Sequence, residues 1–298
     1  MDNLTFQGYR MGPRAQLDLS HLKLMIKSIA KFHAMSYVLK IQNMDKLEEL
    51  TKSFQPFPFY EEHKNMYDVF YEIALERLSN HVITKPQDED FKAAVISLAR
   101  KYIDKPSKLM EEFLKPDASF DVIIHGDYNR NNVMFQYESL DGFKNPQNVK
   151  AFDYQLAKYA SPVLDLSFFM FMNIEADMID IIWDELLQLY HQTLMELLTS
   201  VLKCNESDTR LLSYSFEKFQ DHFANYALYG CMVAAWFLPI MLCDLERCRA
   251  IEAAFEKDSF SQELKDVTLP AGGIEAIERV TAVTKHAFNR GYFKRIID

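Results

Sequence analysis

The sequence predicts an α+β fold that is predominantly α-helical, on three observations. Its 298 residues are 49% hydrophobic and 13% aromatic, enough to fill a large core and too much for a disordered tail. Just 8 residues are glycine, well under half of the roughly 7% share of soluble proteins, so left-handed loops are few and helices dominate. Apolar residues also recur every three to four positions along most of the chain, and one β-branched island interrupts them near the middle.

The opening sixteen residues show no period. Asp18 or Ser20 can then cap a helix running to about Leu39, with Leu22, Ile26, Ile29 and Phe32 on one face. Residues 59–78 repeat the pattern through Met66, Phe70, Ile73 and Leu78. Helices also fit 89–103 and 106–114, and Pro56, Pro58, Pro86 and Pro106 punctuate this region. Residues 122–124, 133–135 and 149–152 are strand-like, with a loop rich in Asp, Gly, Asn and Pro at 139–148. After Pro162 the helical period returns at 163–173, 177–202, 207–234, 244–256 and 273–290. The run Phe168 to Met172 is too continuous for one apolar face, which predicts a helix buried all round. Residues 226–243 carry no charge and reach the lower length limit of a membrane span. Gly230 and Pro239 interrupt this stretch and Asp244, Glu246 and Arg247 follow it, so a buried helix ending near the proline is expected instead. No repeat or linker is evident, which predicts one α-rich domain with a small β insertion.

Lys and Arg total 33 against 43 for Asp and Glu, a net charge of -10, which argues against a nucleic-acid or anionic-membrane partner. Cys204, Cys231, Cys243 and Cys248 form no Cys-x-x-Cys and no zinc-finger spacing, so neither a metal staple nor a disulfide framework is expected. The start, Met-Asp-Asn-Leu-Thr-Phe-Gln-Gly, lacks the basic and apolar regions of a signal peptide, and a cytoplasmic location is expected.

The chemistry concentrates at the β insertion. Residues 125–132 read His-Gly-Asp-Tyr-Asn-Arg-Asn-Asn between two strands, and the third strand delivers Asp153. A hairpin returning to the same end of the sheet would set Asp153 beside Asp127 and Asn132. A lone Asp or Asn in a loop is ordinarily a turn former, but two acids and an amide converging at strand ends suit phosphoryl transfer. One carboxylate orients the attacking hydroxyl and accepts its proton, while the other oxygens hold magnesium against the phosphates. Asp127 fits the first role, and Asn132 and Asp153 the second. His125, ending an apolar strand, is expected to make a hydrogen bond that shapes the loop. His33 is expected to be a satisfied core histidine.

His125-Gly126-Asp127 with Asn132, then Ala151-Phe152-Asp153-Tyr154-Gln155 and Ser161-Pro162-Val163-Leu164-Asp165-Leu166, resembles the aminoglycoside phosphotransferase and choline kinase group. Within that group the chain is most similar to the ecdysteroid kinase-like (CHK kinase-like) family. Asn3-Leu4-Thr5-Phe6-Gln7-Gly8-Tyr9-Arg10-Met11 resembles its interlobe hinge, and Ile29-Ala30-Lys31-Phe32-His33-Ala34 its first large-lobe helix. The resemblance implies a protein-kinase-like C-terminal lobe whose β insertion carries the catalytic loop, with ATP and Mg2+ as cofactors. It implies Asp127 as catalytic base, Asn132 and Asp153 as magnesium and cofactor ligands, and Asp165, with His125, bracing the loop. Residues 1–14 would be a hinge remnant and 15–298 the large lobe.

The resemblance also implies a smaller N-terminal lobe with a glycine-rich loop and a phosphate-gripping lysine. No Gly-x-Gly-x-x-Gly and no Gly-x4-Gly-Lys-Ser/Thr occurs here, and no lysine-bearing strand is read ahead of Asp127. Met1 falls about where the hinge begins, so the surface facing that lobe is expected to be exposed and to bind a partner or aggregate. Losing preorganised phosphate donors lowers rate by about a hundred- to a thousand-fold each, which makes unaided catalysis by this chain doubtful. Three readings follow. The chain is the large lobe of a small-molecule kinase acting on an acceptor hydroxyl, or an inactive (pseudokinase) binding module, or a metal-dependent hydrolase. Tyr226, Tyr229, Trp236, Phe237 and Met241 either line a pocket for an ecdysteroid-like or other lipophilic acceptor or are core. Gly126 stands where protein kinases carry arginine, so activation-loop phosphorylation is not expected.

Overall fold

A computed structural model describes residues 4–13, 16–54, 66–83, 88–138 and 142–297. In chain order these form β1 (Tyr9–Met11), α1 (Leu19–Gln42), α2 (Met44–Thr51), α3 (Met66–Arg77), α4 (Glu89–Tyr102), α5 (Ser107–Phe113), β2 (Val122–Ile124), β3 (Val133–Tyr137), β4 (Pro146–Ala151) and β5 (Lys158–Ala160). The helices α6 (Val163–Asn173), α7 (Ile179–Leu202), α8 (Phe216–Tyr226), α9 (Leu228–Leu242), α10 (Leu245–Lys257), α11 (Gln262–Thr268), α12 (Gly273–Asn289) and α13 (Lys294–Ile297) complete the chain. The fold is α+β and predominantly helical. Its residues fall into two compact units, Met1–Pro56 with Pro116–Phe223, and Phe57–Lys115 with Ala224–Asp298.

The first unit is built on α1 packed along α7. Asp18 starts α1 by accepting the backbone N–H groups of Ser20 and His21, and Leu22, Met25, Ile26, Ile29 and Ala30 bury its apolar face. Every residue of α6 is buried, as the unbroken Phe-Met run predicts. Two small antiparallel sheets flank these helices, one ordered β1-β3-β4 and one pairing β2 with β5. The strands on either side of the polar loop therefore belong to different sheets. β3 turns back on β4, with Val133 opposite Ala151, while β2 is satisfied by β5, with Ile124 opposite Lys158. Neither β1 (Tyr-Arg-Met) nor β5 (Lys-Tyr-Ala) is legible in sequence, since neither carries the β-branched run that marks β2.

The second unit centres on α9, which packs against α3 and α12. Two expectations are corrected here. Residues 207–234 are not one helix. The side chains of Asn205 and Asp208 take the backbone N–H groups of Ser207 and Arg210 into turns, a short 3-10 turn follows at Leu212–Tyr214, and α8 and α9 are separate. Nor does the apolar helix end at Pro239, since α9 continues through it to Leu242. Proline has no N–H to give the carbonyl of Ala235 four residues back. The guanidinium of Arg77, 1% exposed, supplies that donor from α3. Arg77 also donates to the carbonyls of Thr268 and Leu269 at the end of α11, at 2.7 and 3.0 Å.

Among the described residues no single helix is long and apolar enough to cross a membrane; α8 and α9 pass that test only as a bent pair. Residues 59–65 of the expected helix, Pro56, Pro58, Pro86 and part of the 139–148 loop lie outside the described residues.

Candidate functional site

The site lies in the first unit, at one end of the β3–β4 hairpin. Residues 125–132 lead into β3 and Asp153 follows β4, so antiparallel pairing brings both ends together. The N–H of Phe152 donates to the carbonyl of Asn132 at 3.0 Å and locks them. Asp153 itself sits at φ 63, in the left-handed region that Asp tolerates better than most residues.

Asp127 and Asn132 are directly joined. The Asn132 amide donates to the Asp127 carboxylate at 2.8 Å and to the Asp127 carbonyl at 2.9 Å. With Nδ2 so committed, Oδ1 is the atom that Asn132 can present to a cation. Burial pushes the Asp127 carboxyl above its ordinary value. Asn132 and His125 pull it back, while the negative charges of Asp153 and Asp165 push it further up. Asp127 and Asn132 are half-buried and Asp153 is exposed, so the cluster opens to solvent on the Asp153 side.

The loop is held from beneath by Asp165, the third residue of α6 and 1% exposed. Its two carboxylate oxygens accept the backbone N–H groups of His125 at 2.7 Å and Gly126 at 2.8 Å. The Asp165 carboxylate also receives His33 Nε2 at 3.1 Å, and Tyr190 closes the chain on His33 Nδ1 at 2.8 Å. His33 is thus a core histidine with both ring nitrogens satisfied, and it also orients the group that orients the loop.

His125 ties the loop to the Asp153 segment. A carbonyl can only accept, so Nε2 carries the proton that bonds Phe152 O at 2.9 Å, and Nδ1 receives the N–H of Asp127 at 3.3 Å. The His125 ring also packs against Tyr154 at 4.5 Å between centroids, and Tyr154 packs against Phe32 of α1. Gly126 is obligatory, with φ +83 and an added Cβ only 2.0 Å from the carbonyl oxygen of Leu156. On β5, burial lowers the Lys158 ammonium from the ordinary lysine value, against a partial restoring pull from Asp165.

Of the residues the sequence singles out, Asp127, Asn132, His125 and Asp165 are joined by hydrogen bonds, and Asp153 stands at the same hairpin end with its carboxylate accepting from Gln155 at 3.4 Å. Sequence reasoning did not anticipate the links through His33, Tyr190, Tyr154 and Phe152. For His33 and Tyr190 a signal existed, as polar groups on apolar helix faces need partners, but nothing in the sequence says which. Of the late apolar residues, Tyr226 and Tyr229 are buried, while Trp236, Phe237 and Met241 are half-buried; Trp236 stacks on Phe70 at 4.2 Å within the second unit.

The donor set suits magnesium. It offers carboxylate and amide oxygens without nitrogen or sulfur, and magnesium bound with phosphates needs just one or two protein carboxylates. Among the described residues no three His, Cys, Asp or Glu side chains form an all-protein metal cage.

Residues 1–203 match the Ecdysteroid kinase-like family. Among solved structures, a choline kinase from Cryptosporidium parvum Iowa II aligns at 11% identity and a TM-score of 0.40, over 95% of this chain and 68% of that one. No curated protein sequence matches.

Proposed function

The chain belongs to the ecdysteroid kinase-like family, and on that premise we propose that its site transfers the γ-phosphoryl group of ATP to a hydroxyl of a small, lipophilic acceptor. The observation that carries the reading is the Asp127–Asn132 pair fixed at the same hairpin end as Asp153. Phosphoryl transfer is mainly a matter of position and charge, and each residue has a share in both.

Asp127 orients the acceptor hydroxyl and takes its proton as that oxygen bonds to phosphorus and ADP departs. Its raised affinity for a proton, set by burial and by its acidic neighbours, makes it a better base than a solvated carboxylate. The Asn132 amide fixes the carboxylate's rotation through the 2.8 Å bond. Asn132 Oδ1 and Asp153 would hold magnesium, which when bound neutralises the charge that develops on the phosphoryl oxygens. Asp165 and His125 touch no reacting atom. They position the loop by filling its backbone hydrogen bonds, so it does not reorganise during reaction.

The test is transfer of label from γ-labelled ATP to a panel of hydroxylated steroids and other lipophilic alcohols, with magnesium present and with a small lobe supplied that carries the glycine-rich loop and phosphate lysine this sequence does not show. Asp127→Asn and Asp153→Asn should each lower transfer by about a thousand-fold with unchanged circular dichroism. Wild-type turnover in either variant would remove that residue from its role. Release of inorganic phosphate without nucleotide would favour hydrolysis instead.

A further inference from the structure

The thiols of Cys243 and Cys248 meet at the elbow where α9 ends and α10 begins. Their sulfurs lie 3.1 Å apart, about 1 Å beyond the roughly 2.05 Å of a disulfide bond. Cys243 is the C-terminal cap of α9, and Asp244 caps α10 by accepting the N–H of Arg247 at 2.7 Å. Both backbones are therefore fixed on either side of the pair. Cys243 also packs against the apolar cluster of Val69, Ile73 and Ile251, and its thiol donates to the carbonyl of Ile240 at 3.1 Å. Both cysteines are half-buried, within reach of a small oxidant. Cys231 differs: it is fully buried against Thr284, and burial pushes its thiol up to about 12.

We propose that Cys243 and Cys248 are an oxidative modification site, converted to an intramolecular disulfide by a peroxide and returned to thiols by a dithiol reductant. The proximity of the sulfurs carries the proposal, and the packing around them sets the order of events. Cys243 is packed against the apolar cluster and its thiol is engaged with the Ile240 carbonyl, so Cys248 reacts first. The Cys248 thiolate attacks one peroxide oxygen, the O–O bond breaks, and hydroxide leaves to become water with the proton lost from Cys248. The Cys243 sulfur then attacks the Cys248 sulfenic acid. The S–S bond forms as the S–O bond breaks, and the departing hydroxide takes the Cys243 proton. Two thiols and one peroxide become one disulfide and two waters.

This site stands apart from the proposed phosphoryl-transfer chemistry, and its test does not read activity. The full chain is treated with hydrogen peroxide, then denatured, labelled with maleimide and analysed by intact mass and peptide mapping. Of the four cysteines, two should escape labelling, the unlabelled protein should be about 2 Da lighter, and one crosslinked peptide should join Cys243 to Cys248. Dithiothreitol should restore four labels. In Cys243→Ser the mass loss should vanish and a sulfenic-acid probe should label Cys248. A variant carrying Cys204→Ser and Cys231→Ser should still lose about 2 Da. Four labels after peroxide, or a disulfide through Cys204 or between chains, would overturn the proposal.

Discussion

Gly126 shows how narrowly the catalytic loop is specified. It occupies the left-handed region, and any side chain there would drive its Cβ into the Leu156 carbonyl. Gly126→Ala should therefore displace the segment between His125 and Asp127 and strain the backbone by about 1–3 kcal/mol. Transfer should fall by at least ~100-fold with a modest drop in Tm, and an unchanged rate would show that the loop tolerates another path. The motif residues were legible because His125, Gly126, Asp127 and Asn132 are close in sequence and each shapes the same short loop. Their supports were not. His33 lies 132 positions from Asp165 and 157 from Tyr190, and which polar group on a helix face meets which is decided by packing.

At the scale of elements, periodicity served the long helices well. α1, α4, α7 and α12 lie where three-to-four spacing places them, since one apolar stripe is enough to specify a buried face, and α6 lies where its unbroken apolar run predicts a helix buried all round. Breaks in the pattern were less readable. Proline predicted a stop in α9, and the helix continues because Arg77 supplies the donor that Pro239 lacks. Three carbonyls depend on that one guanidinium, and leaving buried acceptors unpaired costs about 1–3 kcal/mol each. Arg77→Met should lower stability by about 3 kcal/mol in urea unfolding. Adding Pro239→Ala should recover about 1 kcal/mol by returning an N–H to Ala235. If the second substitution recovered nothing, the proline and the arginine would not be coupled. The short elements escaped notice for another reason. α2 and α11 are eight and seven residues long, too short for a period, and are identified by caps, with Asn43 accepting from Lys46 and Ser261 from Leu264.

For the molecule as a whole, the division into two units left no trace in composition. Each unit is assembled from two separate stretches of chain, so no single shift in composition along the sequence separates them. Stability should respond to pH through Asp121, 4% exposed, whose carboxyl burial raises to about 6 against partial relief from the Asp117 N–H and Lys40. A carboxyl raised on folding favours the native state while protonated, and that advantage is lost as pH rises from about 4 to about 6. Wild-type protein should lose about 2 kcal/mol across that window from this group, and Asp121→Asn should flatten the loss. Parallel pH profiles for the two proteins would contradict the assignment. The central claim concerns one cation, one nucleotide and three oxygen-bearing side chains. Manganese binding followed by electron paramagnetic resonance, with a non-hydrolysable ATP analogue present, tests it most directly. Wild type and Asp127→Asn should bind the ion only with nucleotide, and Asp153→Asn should bind at least ~10-fold more weakly. Equal binding by wild type and Asp153→Asn would contradict the account.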